Sequence, residues 1–278
     1  MTATTPVVQC STCGVERSAE TTGADSTVCP ICADDRQYLP PDGQHWLDPR
    51  EPEPAAHLSI AELEPGVHAI TQHDCPGIGQ TPLLVETAAG PVMIEVPTHI
   101  DDRAIAEVAR LGGLAGIIAS HPHMYGLQSL WSEAFGHCPV YISAKDEQWL
   151  GHRPTNTVIW DGELRLAEDM VASQPGGHFP GSVVVHWRGR DGGGVLFGGD
   201  TIFPTPAAGW VTFMRSFPNM IPLSADVVTR IAKHVARYDF DRLYNNFGRC
   251  LPQDAHDAVQ RSARRYADWV SGIHDHLT

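Results

Sequence analysis

Ser120-His121-Pro122-His123-Met124-Tyr125-Gly126, "SHPHMYG", follows directly on the apolar run "LAGIIA" at residues 114–119. The run reads as a buried strand, so the two histidines stand at a strand end. Loops at strand ends are where a rigid scaffold converges side chains from distant sequence. Two further stretches have the same form. "GGHFPGSVVVHW" places His178 in a glycine-rich turn before a strand, and "VLFGGD" places Asp200 at the end of another. Three imidazoles and a carboxylate form a donor set that Zn2+ accepts and that Fe2+ or Mn2+ also tolerates.

Outward from these loops, "GVHAITQ", "TPLLVET" and "PVMIEV" are short runs rich in branched residues and bounded by Pro and Gly, which suits sheet. "DDRAIAEVARLG" has helical apolar spacing behind an acidic start, and "LQSLWSEAFG" is a second helix. "SADVVTRIAKHVARY" is a third, "FDRLYNNFG" a strand, and "PQDAHDAVQRSARRYADWVSGIHDHL" a long closing helix. Sheet and helix occur twice in that order without regular βα alternation. Two sheets with helices outside fit this better than a doubly wound sheet.

Cys10, Cys13, Cys29 and Cys32 follow C-x2-C-x15-C-x2-C, the spacing of a four-thiolate Zn2+ site. Two disulfides, four unpaired thiols or an iron centre are the alternatives. Cys75, Cys138 and Cys250 read as small apolar residues, with Cys250 also a soft-ligand candidate. The chain divides into a cysteine module over 1–40, a Pro- and acid-rich connector over 41–57 anchored by Trp46, and a larger domain over 58–278. A net charge of -14 excludes a nucleic-acid footprint. Within 1–40 the basic side chains are Arg17 and Arg36, too few for a phosphate track. No run approaches the length of a membrane span, and the start of the chain does not read as a secretory signal. A cytoplasmic protein with a small-molecule substrate is expected, and a homo-oligomer is compatible with it.

Taken together, "SHPHMYG", "GGHFPGS" and "LFGGD" resemble the His-x-His-x-Asp-His loop, third-histidine loop and aspartate strand of the metallo-beta-lactamase fold superfamily. The resemblance spans residues 60 to 270 approximately. It implies a four-layer αββα sandwich preceded by a zinc-ribbon-like module. By the same likeness His121, His123 and His178 hold one metal, and Asp200, which usually bridges two, is available as a fourth ligand or a base. Tyr125 stands where the motif has aspartate, Gly126 where it has histidine, and Arg249 near the place of the last histidine. The resemblance therefore implies a mononuclear site, unless His99, His137 or His152 moves in.

The leading functional reading is a metal-dependent hydrolase of a small ester, lactone, amide or thioester, acting through metal-activated water. An iron-dependent oxygenase, a non-hydrolytic elimination or cyclisation enzyme, and a non-catalytic metal-binding or structural protein are the alternatives. Asp200, Tyr125 and Arg249 are the expected catalytic residues, with Arg249 suited to a substrate carboxylate or phosphate. Trp210, Phe213, Met214 and Phe217, from a segment that Pro218 and Pro222 keep from being all helix, and Asn246 are the expected pocket residues.

Overall fold

The computed structural model describes residues 6–20 and 28–278; residues 1–5 and 21–27 of the cysteine module lie outside the described residues. Two compact units divide the chain, one running to Ile142 and including Asp146–Ile159, the other comprising Ser143–Lys145 and Trp160–Thr278.

The first unit carries a seven-stranded sheet. Its order is Thr157–Trp160, Val140–Ser143, Gly116–Ile118, Val92–Ile94, Leu83–Val85, Val67–His73 and His57–Glu64. Val92–Ile94, Gly116–Ile118 and Val140–Ser143 run parallel, and the strands from Val92–Ile94 to His57–Glu64 pair antiparallel. The central strands are buried along their whole length, which is why they read as unbroken apolar runs rather than alternating ones. Helix Asp102–Arg110 starts at Asp101, whose carboxylate accepts the Ala104 amide at 2.7 Å, and turns off at Gly112 and Gly113.

The cysteine module belongs to this unit. Val7–Cys10 pairs antiparallel with Glu16–Ser18 on one side and Trp46–Leu47 on the other, with Cys10 opposite Trp46. Trp46 is thus in strand register with the first cysteine knuckle. Gly14, at φ +76°, turns that knuckle, and a Cβ there would stand 2.1 Å from the Thr98 Cγ2. Backbone meets side chain with no space between them.

Glu16 is buried at 1% exposure. Burial pushes its carboxyl up to about 8, against the lowering effect of hydrogen bonds from Ser129 and of the Arg50 charge. Folded Glu16 therefore binds its proton more tightly than the unfolded chain does, upward from the ordinary carboxyl value of 4.5. Stability from this group is highest below the unfolded value and falls as pH rises through about 8. Urea unfolding at a series of pH values should show wild type losing stability relative to Glu16→Gln across that window. The slope should approach about 1.4 kcal/mol per pH unit. A pH-independent difference between the two proteins would contradict the burial.

The second unit has a six-stranded sheet in the order Glu163–Ala167, Met170–Ser173, Val184–Trp187, Val195–Phe197, Arg242–Tyr244 and Cys250–Leu251. Val184, Leu196, Phe213, Ile231, Leu243 and Val259 meet in its core, covered by helices Ala225–Val235 and Ala255–Val270. Two sequence expectations ran too long. The closing helix stops at Val270, where Gly272 takes φ +76°. The strand at 240–248 is only Arg242–Tyr244, because the Asn245 Oδ1 accepts the Phe247 and Arg249 amides and folds the chain into a turn. The segment after Asp200 forms short strands, Val211–Thr212, Met214–Ser216 and Ile221–Pro222, as its prolines require. Among the described residues no helix is long and apolar enough to cross a membrane.

Candidate metal centres

Cys10, Cys13, Cys29 and Cys32 converge with every sulfur buried. Cys10 Sγ lies 3.7 Å from Cys32 Sγ, and Cys13 Sγ 3.8 Å from Cys29 Sγ. A disulfide needs sulfurs about 2.05 Å apart, so these are four thiols. A tetrahedron with metal–sulfur bonds of about 2.3 Å has edges of about 3.8 Å, which matches both separations. Cys10 Sγ also accepts from the Cys13 amide at 3.4 Å and from Gln44 Nε2 at 2.9 Å. Donors of this kind stabilise a thiolate. Hydrogen bonds from Cys13, then Cys29 and Cys32, hold the Cys10 thiol far below its usual range despite burial.

His121 and His123 stand on the loop after Gly116–Ile118, His123 within a single 3-10 turn over Pro122–Met124 and His121 at that turn's N-cap. Both are 2% exposed, with ring centroids 5.0 Å apart and planes at 79°. Glu95, itself at φ +62°, accepts the Ser120 amide at 2.8 Å, and Ser120 Oγ meets His121 Nδ1 at 2.9 Å. Ser120 thus meets Glu95 through its backbone amide and His121 through its hydroxyl, which fixes the His121 ring at Nδ1.

In the second unit His178 Nδ1 lies 3.1 Å from the Met214 carbonyl oxygen. A carbonyl only accepts, so Nδ1 carries the proton and Nε2 presents a lone pair. That Nε2 is 3.7 Å from Asp200 Oδ2. Gly199, at φ +53°, turns the chain just before Asp200. Burial pushes the Asp200 carboxyl up to about 7, partly offset by a hydrogen bond from the Asn246 side chain. The ligand atoms of His121, His123, His178 and Asp200 lie within 4.8 Å of one another. An N3O set of this closeness, all buried, fits a divalent ion. Among the described residues no other histidine or cysteine joins this set: His99 lies 3.5 Å from Asp101 Oδ2, and His137 is exposed.

Gly126 explains one departure from the motif. It sits at φ +45°, and a Cβ there would stand 2.5 Å from the Val96 oxygen and 2.6 Å from the Pro97 oxygen. No side chain fits, least of all an imidazole. Gly126→Ala should cost about 3 kcal/mol, from positive φ and the clash together, read as a fall in the urea midpoint; an unchanged midpoint would refute the close approach.

The remaining sequence candidates scatter. Tyr125 is 2% exposed, and burial, then the Asp146 charge, raises its phenol well above its usual range, so the hydroxyl keeps its proton. Arg249 is exposed on the turn that Asn245 closes. Phe217 lies 6.2 Å from the His178 ring and packs on Phe203 at 4.5 Å. Phe213 is in the core against Tyr266, and Trp210 lies under the Arg265 guanidinium at 3.5 Å. Met214 contributes its carbonyl, and Asn246 its hydrogen bond to Asp200, neither of which residue type alone signals.

No family model matches the chain. It is 38% identical over 266 residues to the uncharacterized protein YmaE of Bacillus subtilis (strain 168), covering 94% of this chain and 96% of that one. The chain belongs to the family of YmaE. Among solved structures, DIM-1 metallo-beta-lactamase is similar over 75% of this chain and 98% of its own, with TM-score 0.57 and 17% identity. VMB-1 gives TM-score 0.58 at 14% identity, covering 77% and 98%. FIM-1 from Pseudomonas aeruginosa, in a mono-zinc form, gives TM-score 0.53 at 16% identity, covering 76% and 96%. Identities this low carry the fold alone. This member of the YmaE family has the αββα sandwich of the metallo-beta-lactamases, preceded by a small cysteine-bearing hairpin. Each of its two buried clusters, four cysteines and three histidines with an aspartate, has the donor set of a metal site.

Proposed function

We propose that this YmaE-family protein is a mononuclear metal-dependent hydrolase of a small ester, lactone, amide or thioester. The observation that supports it most is the His178 tautomer. A backbone carbonyl fixes the proton on Nδ1, so Nε2 is committed to ligation beside Asp200. His121, His123 and His178 hold the ion, with Asp200 as fourth ligand or proton acceptor, and the closed position at Gly126 favours one ion over two. Zn2+ fits the set, and Fe2+ or Mn2+ also suits it. An ion held there would supply Lewis-acid polarisation of a carbonyl and acidification of a water. The mono-zinc form in which FIM-1 was crystallised is a precedent for this fold with a single ion.

The protein's own groups supply the rest. The Asn246 side chain hydrogen-bonds the Asp200 carboxylate and orients it to accept a proton. Arg249, on its exposed turn, takes the carboxylate or phosphate of an anionic substrate. Tyr125, whose hydroxyl stays protonated, serves only as a hydrogen-bond donor, and Phe217 beside His178 gives an apolar wall for the substrate. In this reading residues 1–40 are a Zn2+-folded module, 41–57 a connector and 58–278 the hydrolytic domain.

The test is metal titration of protein stripped at the histidine site and retaining its cysteine-bound ion, against a panel of esters, lactones, amides and thioesters. One equivalent should restore full turnover. Asp200→Asn should lower kcat by about 100-fold or more, in the range expected for loss of a general base. Stoichiometric iron after anaerobic purification, with oxygen consumption, would favour the oxygenase instead. Retained metal with no turnover across the panel would sink the hydrolase.

A further inference from the structure

The helix Gln128–Ala134 begins four residues after the turn that carries His123, and it has no cap of its own. Its N-cap position is Leu127, which offers no side-chain acceptor. The first amides of any helix need acceptors from elsewhere. Here one comes from the cysteine module: Glu16 Oε1 accepts the Ser129 amide at 2.7 Å, and Glu16 Oε2 accepts the Ser129 hydroxyl at 2.5 Å. The Glu16 amide donates in turn to the Gly126 carbonyl at 3.0 Å. On the other side the Leu127 amide donates to the Pro97 oxygen, and the Val96 amide to the Met124 oxygen, at 3.0 and 3.1 Å. The metal loop is therefore gripped from both sides, and one grip belongs to the module.

Glu16 is three residues after Cys13, on the strand that returns from the first knuckle. Its position is tied to that knuckle and to the larger sheet together. Gln9 Nε2 donates to the Gly14 carbonyl at 2.8 Å and to the Thr98 carbonyl at 2.6 Å. The Gly77 amide donates to the Ser11 carbonyl at 3.3 Å, and the Ser18 amide to the Gly151 carbonyl at 3.0 Å. Gln9 and Glu16 are 2% and 1% exposed. Buried polar groups that make such bonds tolerate no slippage, since any shift leaves them desolvated and unpaired.

We infer that the four-cysteine module braces the metal-binding loop, with Glu16 as the positioning residue through which the thiolate-bound ion and the histidine-bound ion support each other. The inference rests on the reading of His121 and His123 as ligands. The module's ligand is a thiophilic divalent ion of the Zn2+ class. Its loss loosens the first knuckle, moves Glu16, uncaps the helix and relaxes the loop. By linkage, the effect is reciprocal: filling the histidine site tightens equilibrium binding of the thiolate-bound ion.

The experiment uses full-length, metal-loaded protein and three variants, Glu16→Ala, Glu16→Gln and Ser129→Ala. Zn2+ affinity at the histidine site is measured by chelator competition, occupancy of the cysteine site by thiol reactivity, and backbone opening by hydrogen exchange. Glu16→Ala should weaken the histidine site about 10- to 100-fold, the range for lost supporting contacts around a ligand, while the thiols stay protected. Glu16→Gln, which keeps one acceptor and a donor for Ser129, should recover most of that loss. Exchange should quicken at Ser129 and the following helix but not in helix Ala225–Val235, which separates positioning from general destabilisation. If Glu16→Ala does not fold, Ser129→Ala should show a smaller loss in the same direction. Unchanged affinity and unchanged Ser129 exchange in the folded variants would overturn the brace. If wild type bound no Zn2+ at the histidines, the hydrolase reading would fail by itself, and the exchange pattern would still decide whether Glu16 holds the loop.

Discussion

Replacing His121 by alanine is expected to release one equivalent of metal per chain and to leave the cysteine-bound equivalent in place. The side chain is 2% exposed and its Nδ1 is engaged by Ser120, so the imidazole has one orientation and one nitrogen to offer. Deleting it leaves two imidazoles and a carboxylate around a hole. Loss of affinity should exceed the 10- to 100-fold typical of removing a supporting partner, and turnover should go with it. Elemental analysis before and after the substitution, with a count of reactive thiols, reads both sites at once. Unchanged metal content would remove His121 from the ligand set.

Cys13→Ser is the second large effect, and it acts on stability. Within the described residues the module's apolar core is small, with Val7, Val15 and Ile31 as its buried aliphatics. A fold of that size relies on its ion, and in such sites metal binding is folding free energy. The knuckles are held by sulfurs 3.7 and 3.8 Å apart that only a shared ion or protons can keep together. Losing one thiolate should cost about 3 kcal/mol or more, lowering Tm by roughly 10 °C for a protein of this length. Hydrogen exchange should show Val7–Cys10 and Glu16–Ser18 opening first. Equal protection with and without the substitution would mean that the strand pairing stands without metal.

Much of the site was legible because its chemistry is local. A histidine pair after an apolar run, a Gly-Gly-His turn and a strand ending in Gly-Gly-Asp each carry their own signal, and the structure brings all four side chains into one set. The cysteine spacing is equally direct. What could not be read is what depends on the far side of a contact. Gly126 shows in the sequence only as a missing ligand; the Val96 and Pro97 carbonyls that forbid a side chain there arrive from another strand end. Glu16 carries no motif at all, and its partner Ser129 is 113 residues away. Met214 acts through a backbone carbonyl, to which residue type gives no clue. The aromatic segment after Asp200 divides for the same reason. Phe217 reaches the His178 ring, whereas Phe213 and Trp210 are taken by Tyr266 and Arg265 of the closing helix.

The most direct measurement of the central claim is anomalous diffraction at metal edges on crystals of protein purified without chelator. Two peaks per chain are predicted. One should stand about 2.3 Å from each of the four cysteine sulfurs, and one among His121, His123, His178 and Asp200. A pair of peaks about 3.5 to 4 Å apart at the histidines would mean a two-metal centre. A peak at the cysteines with none at the histidines would mean no catalytic ion, and either result would contradict the mononuclear site.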